Sequence, residues 1–176
     1  MNRKILIVVD MQNDFTYGAL RNEDAISIIP KVVEKIKNYE GEVIFTYDTH
    51  HEDYMHTQEG RKLPVPHCIQ GSEGYKLVPE IEELRNILQA KTYEKETFGC
   101  VQLALDIQKM NEEDKIEEIE LSGICTDICV ISNAMLIKAA VPNVTIKVDS
   151  ACCAGVTKES HQTALAAMAG CQMEII

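Results

Sequence analysis

Apolar positions in this chain fall alternately into short runs and helical spacings. Ile5-Leu-Ile-Val-Val9 is uninterrupted, the pattern of a strand buried on both faces of a parallel sheet. Val43 to Tyr47 reads as a second strand. Between them, over residues 25–39, Ile29, Val32, Val33 and Ile36 are spaced for one face of a helix that ends before Gly41. Pro30 fits a first turn or a kink better than the middle of that helix. The pattern then returns. Val101 to Met110 has helical spacing, and Ile116 to Leu121 alternates as a strand does. Residues 127–140 are apolar nearly all round, which predicts a buried helix. Val144 to Val148 reads as a strand and Lys158 to Ala169 as a helix, with short strands near Lys91–Tyr93 and Met173–Ile176.

Such alternation predicts a three-layer α/β/α fold, an open and mostly parallel sheet of about six strands with helices on both faces. Residues 1–176 read as one domain. Residues 49–75 break the period and are rich in His, Pro and Gly. A loop that long in a compact domain is usually functional. In open parallel sheets, ligands bind beyond the carboxyl ends of the strands.

Composition narrows the function classes. With 45% apolar and 26% charged residues among 176, the chain has the makeup of a folded domain with a sizeable core. Its net charge of −11 repels phosphate backbones, which argues against nucleic acid as a partner. Ile5–Val9 is too short for a membrane span or a signal core, so no membrane association is expected. Seven cysteines, an odd number without a C-x-x-C pair, suit reduced thiols in the cytoplasm.

Candidate chemistry gathers at the strand ends. Asp10 directly follows the first strand, where it serves either to cap a loop or as a buried base. Asp48 and His50 follow the second strand at a spacing that points both side chains the same way. Carboxylate plus imidazole suits zinc, iron or manganese. His51, His56, Glu59 and His67 add further candidates, four of the five histidines falling between 50 and 67. Gly123-Ile-Cys-Thr-Asp-Ile-Cys129 joins a strand to the apolar helix. Thr126 is the expected N-cap, placing Cys129 in the first turn, where backbone amides favour a thiolate and could hold an oxyanion. A buried structural cysteine is the bland alternative. By spacing alone, Lys95 is a surface charge. A redox role for Cys125 and Cys129, or for Cys152 and Cys153, lacks a standard dithiol motif. Dinucleotide binding lacks a G-x-G-x-x-G after the first strand.

Five pieces in order, spanning nearly the whole chain, resemble the isochorismatase-like cysteine hydrolases, and most closely the nicotinamidases. They are Val-Asp10-Met-Gln-Asn-Asp-Phe15, Asp48-Thr-His50, Pro66-His67-Cys68, Lys95-Glu-Thr-Phe98 and Gly123-Ile-Cys-Thr-Asp-Ile-Cys129-Val. The resemblance implies a catalytic triad of Asp10, Lys95 and Cys129. It also implies a cis bond between Ile124 and Cys125 and an oxyanion hole from the amides of Cys125 and Cys129. It implies one divalent metal, zinc first with iron or manganese compatible, held by Asp48, His50, His67 and a variable fourth ligand. Glu59 is favoured for that place, with His56 open. Phe15 matches an aromatic of the family pocket, whereas the tryptophan often found beside the substrate ring is missing and Pro64 lies near its position. The expected activity is hydrolysis of a small amide, nicotinamide to nicotinate and ammonia, through a cysteine thioester. A carbamoyl or ureido compound is the alternative substrate, and self-association into a homo-oligomer is expected.

Overall fold

The computed structural model describes residues 3–176. Its elements run β1 (Arg3–Val9), α1 (Asn13–Thr16), α2 (Glu23–Asn38), β2 (Glu42–Asp48), α3 (Gln58–Lys62), α4 (Pro79–Leu88) and β3 (Lys91–Lys95). They continue with α5 (Val101–Glu113), β4 (Ile116–Ile124), α6 (Ile131–Ala140), β5 (Thr145–Ala154), α7 (Lys158–Gly170) and β6 (Glu174–Ile175). The six strands form one sheet in the order β3-β2-β1-β4-β5-β6, with every pairing parallel.

Side-chain alternation along β1 divides the core in two. Ile5, Ile7 and Val9 face a cluster completed by Leu103 and Ile107 of α5, Ala134 and Ile137 of α6, and Leu165 and Met168 of α7. Leu6 and Val8 face Ile28, Ile29, Val32 and Ile36 of α2 and Ile81 of α4. Both faces of the central strand are therefore covered, which is why its sequence shows no polar alternation.

Several expectations shift. Pro30 lies inside α2, beyond its first turn. A mid-helix proline forfeits a backbone hydrogen bond, and the burial of Ile28, Ile29, Val32 and Ile36 around it outweighs that loss. Pattern reading also overlooked α4, whose apolar face is short, with Ile81 its one fully buried side chain. Residues 49–75 are less irregular than their composition suggests, holding a 3-10 turn at Tyr54–His56 and then α3. Asn22 caps α2, its side chain accepting from the amides of Asp24 and Ala25.

The strand order reverses between β1 and β4, and the crevice beyond their carboxyl ends is the expected ligand position. Gly123 allows those two strands to approach. Its φ is +116°, and a Cβ there would sit 2.1 Å from the carbonyl oxygen of Val9. Gly123→Ala is therefore expected to destabilise the fold by roughly 3 kcal/mol or more, from combined backbone strain and overpacking. A denaturant midpoint unchanged from the parent would refute that role.

Candidate active site

Four strand ends supply the site. Asp10 follows β1, Asp48 closes β2, Lys95 closes β3 in register with Asp48, and Cys125 follows β4. Lys95 is almost wholly buried, and its Nζ lies 2.6 Å from Oδ2 of Asp10, 3.5 Å from Oδ1 of Asp48 and 3.4 Å from Sγ of Cys129. The expectation from spacing that Lys95 is solvated is thus wrong. Strand pairing, which no local pattern reveals, turns its side chain inward.

Asp10 is fully buried with φ of +48°, and its Oδ1 accepts from the hydroxyl of Thr46 at 2.6 Å. Its Oδ2 contacts Lys95 as an ion pair but has no aligned hydrogen bond. Burial holds the Asp10 carboxyl above its ordinary range, against the opposing pull of Lys95. Burial also pushes the Cys129 thiol well up, reinforced by Asp10 and opposed by Lys95. Burial thus works against the thiolate that a place in the first turn would favour. Lys95 is held well above its ordinary range: burial lowers it, but the carboxylates and the thiol prevail.

The turn carrying Cys129 differs from the expected N-capped helix. Thr126–Val130 forms one wide π turn leading into α6, preceded by Cys125 and without a side-chain cap. Thr126 is buried and its hydroxyl instead meets Nδ1 of His161 at 2.8 Å. The Ile124–Cys125 peptide bond is cis. Asn133 ties the turn to the neighbouring loop. Its Nδ2 donates to the carbonyls of Cys129 at 2.8 Å and Phe98 at 3.3 Å, and its Oδ1 accepts from the Cys100 amide at 2.9 Å.

Beside this group, Asp48, His50 and His67 offer ligand atoms that all lie within 4.8 Å of one another. Nε2 of His50 is buried without a hydrogen-bond partner, although Asp48 Oδ2 is 3.1 Å away. Nδ1 of His67 lies 2.8 Å from the carbonyl of Val65, so it donates there and leaves the Nε2 lone pair facing Asp48 at 3.4 Å. Close but misaligned lone pairs, with an orphaned buried nitrogen among them, form a donor set that could hold a divalent cation. Oε1 of Glu59 stands 3.6 Å from Nε2 of both histidines, whereas His56 is exposed and lines no part of the cavity.

The loop that carries these ligands is held from within. The amide of Cys68 donates to Asp14 at 2.7 Å, and His50 pairs with Ile69 as an isolated bridge. The ring of Tyr54 packs edge-on against His50 and His67 at centroid distances of 4.7 and 5.1 Å. Gln12 donates to the carbonyl of Asp48 at 2.9 Å and accepts from its amide at 2.8 Å. Thr46, Gln12, Asn133 and His161 escaped the sequence reading. For Thr46, Gln12 and Asn133, polar residues beside apolar ones were the available signal, and only Gln12 lay within a quoted motif; His161 carried no such signal.

A cavity of about 1100 Å³ opens over Cys125, Cys129, Asp48, His50, Glu59 and His67. Phe15 lines it and meets the His67 ring edge-on at 5.6 Å.

The Isochorismatase domain matches residues 4–176. The chain belongs to the isochorismatase family. It is 32% identical over 143 residues to the isochorismatase family protein PncA of Bacillus subtilis, covering 76% of this chain and 77% of that one. A crystal structure of the nicotinamidase/pyrazinamidase PncA from Bacillus subtilis superposes with a TM-score of 0.83 at 30% identity, covering 98% of each chain. The zinc complex of the Pyrococcus horikoshii pyrazinamidase gives 0.79 at 25% identity, over 99% of this chain and 98% of the other. Among the described residues no helix of this isochorismatase-family chain is long and apolar enough to cross a membrane.

Asn133 gives a test of the local architecture. Asn133→Leu removes three hydrogen bonds and strands a buried amide and carbonyl, each at about 1–3 kcal/mol. The variant is expected to lose roughly 3 kcal/mol in chemical denaturation; parent-like stability would mean that the two loops are held otherwise.

Proposed function

We propose that this chain is a cysteine amidohydrolase converting nicotinamide, or a closely similar small aromatic amide, to the carboxylate and ammonia. One observation carries the reading. A single buried ammonium touches the carboxylate of Asp10 and the sulfur of Cys129, beside a cation-binding donor set on the wall of a cavity. The nicotinamidase and pyrazinamidase activities named for the similar structures support it.

Cys129 rests as a thiol because its burial disfavours the anion. Asp10, whose proton affinity is also raised by burial, accepts the thiol proton as sulfur attacks the carboxamide carbon. The Lys95 ammonium stays charged and balances the negative charge passing between them. Amides of Cys125 and Cys129 receive the developing oxyanion, each worth about 3 kcal/mol when well aimed. Asp10 returns the proton to departing ammonia, leaving an acyl-thioester on Cys129. Water, deprotonated by Asp10, then attacks the thioester; the carboxylate product leaves and the thiol is restored.

Asp48, His50, His67 and Glu59 would hold a divalent cation, which supplies a Lewis-acid contact for a ring nitrogen and so orients the ring. Phe15 offers an apolar surface to that ring.

Two variants separate these roles. Cys129→Ala is expected to lower ammonia release from nicotinamide by about a thousandfold or more, with metal content unchanged. Turnover near the parent level would exclude a sulfur nucleophile. His50→Ala should lose bound metal, measured by elemental analysis per chain, and raise KM. Full metal content in that variant would remove His50 from the ligand set.

A further inference from the structure

The cavity is larger than the amide proposed above requires. Its volume of about 1100 Å³ exceeds the roughly 300–1,000 Å³ that encloses a drug-sized ligand. Its depth is reactive and tightly buried, with Cys129 5% and His67 2% exposed. Its mouth is mixed, with three apolar side chains among charged ones. Leu63, Phe98 and Val156 all line the cavity and are 38%, 45% and 56% exposed. Exposed apolar residues scattered singly need no explanation, but three opening on one cavity offer apolar surface of the kind that binding grooves use.

These three side chains come from separate loops, and each loop is pinned at that residue. The Leu63 carbonyl accepts from the Tyr54 hydroxyl at 2.8 Å, and its amide donates to the Glu59 carbonyl at 2.8 Å. The Phe98 carbonyl accepts from Asn133, and the Val156 amide donates to Asp127 Oδ1 at 3.0 Å. An apolar wall held in this way is formed before any ligand arrives, which lowers the ordering cost of binding. Glu23, Asp53 and Glu96 stand around the same opening, against Arg21 and Lys62, in a chain of net charge −11. That balance disfavours an anionic group at the mouth.

We propose that Leu63, Phe98 and Val156 form an outer subsite for an uncharged apolar substituent on the ring of the amide substrate. The inference rests on the amide-hydrolase reading and extends it to larger aromatic amides.

The test compares kcat/KM for ammonia release from nicotinamide and from pyridine-3-carboxamides bearing methyl, propyl, phenyl or carboxylate groups on a ring carbon remote from the amide. The protein is used as purified. For the alkyl series kcat/KM is expected to rise, by up to about fourfold per methylene buried, and the carboxylate compound to fall below nicotinamide. Phe98→Ser and Leu63→Ser should flatten the rise, read as the ratio of substituted to unsubstituted amide. If nicotinamide is hydrolysed and every substituted amide is poorer, the subsite is refuted while the amide-hydrolase reading stands. If no amide is hydrolysed, both fail. If Phe98→Ser dissociates an oligomer in sedimentation and leaves the ratio unchanged, a second copy of the chain covers this wall and the subsite is likewise refuted.

Discussion

A lysine ammonium enclosed by protein needs anionic company, and Lys95 has two carboxylates and a sulfur within 3.5 Å. Removing one partner from such a group leaves an uncompensated buried charge, at a cost of roughly 3–5 kcal/mol. The ends of β1, β2 and β3 and the turn after β4 are therefore bound to a common point. Asp48 takes part twice, facing Lys95 through one oxygen and the histidines through the other. The proposed reactive group and the candidate cation-binding group thus share Asp48, and displacement of β2 would disturb both.

Around this charge cluster the molecule uses neutral hydrogen bonds for positioning. Thr46 holds Asp10, Gln12 clamps both backbone groups of Asp48, and Asn133 joins the Cys129 turn to the loop after Lys95. Each is buried, so water cannot substitute for a lost partner. None carries net charge, but Thr46 does both jobs, since its hydrogen bond favours the ionised form of Asp10 and so opposes the effect of burial.

Burial also acts on the proton. An exposed cysteine beside an ammonium would favour its thiolate, whereas burial of Cys129 pushes its thiol well up, with Lys95 opposing. The proposed reaction then needs a base, and the same desolvation raises the proton affinity of Asp10, the carboxyl proposed for that role. Burial raises both groups, so it does not by itself close the ordinary gap between a carboxylic acid and a thiol.

Runs and spacings in the chain were enough to specify the layers. Ile5–Val9 had to be a doubly covered strand, because nothing else buries five consecutive apolar residues so economically next to amphipathic helices. The i, i+2 spacing of Asp48 and His50 was legible for a similar reason, since strand geometry fixes side-chain direction locally. The fate of Lys95 was not, nor was that of Thr126, Asn133 or His161. Their partners lie 34 or more residues away in sequence for Lys95 and 33 or more for Asn133's links to Cys100 and Phe98, and 35 for Thr126 and His161. Resemblance to the family loop already favours Glu59 over His56, and the path of that loop, which Tyr54 and Thr57 set by packing and capping, brings Glu59 beside the histidines. Periodicity fixes which face of an element is buried; only the meeting of distant elements fixes what each buried polar group will touch.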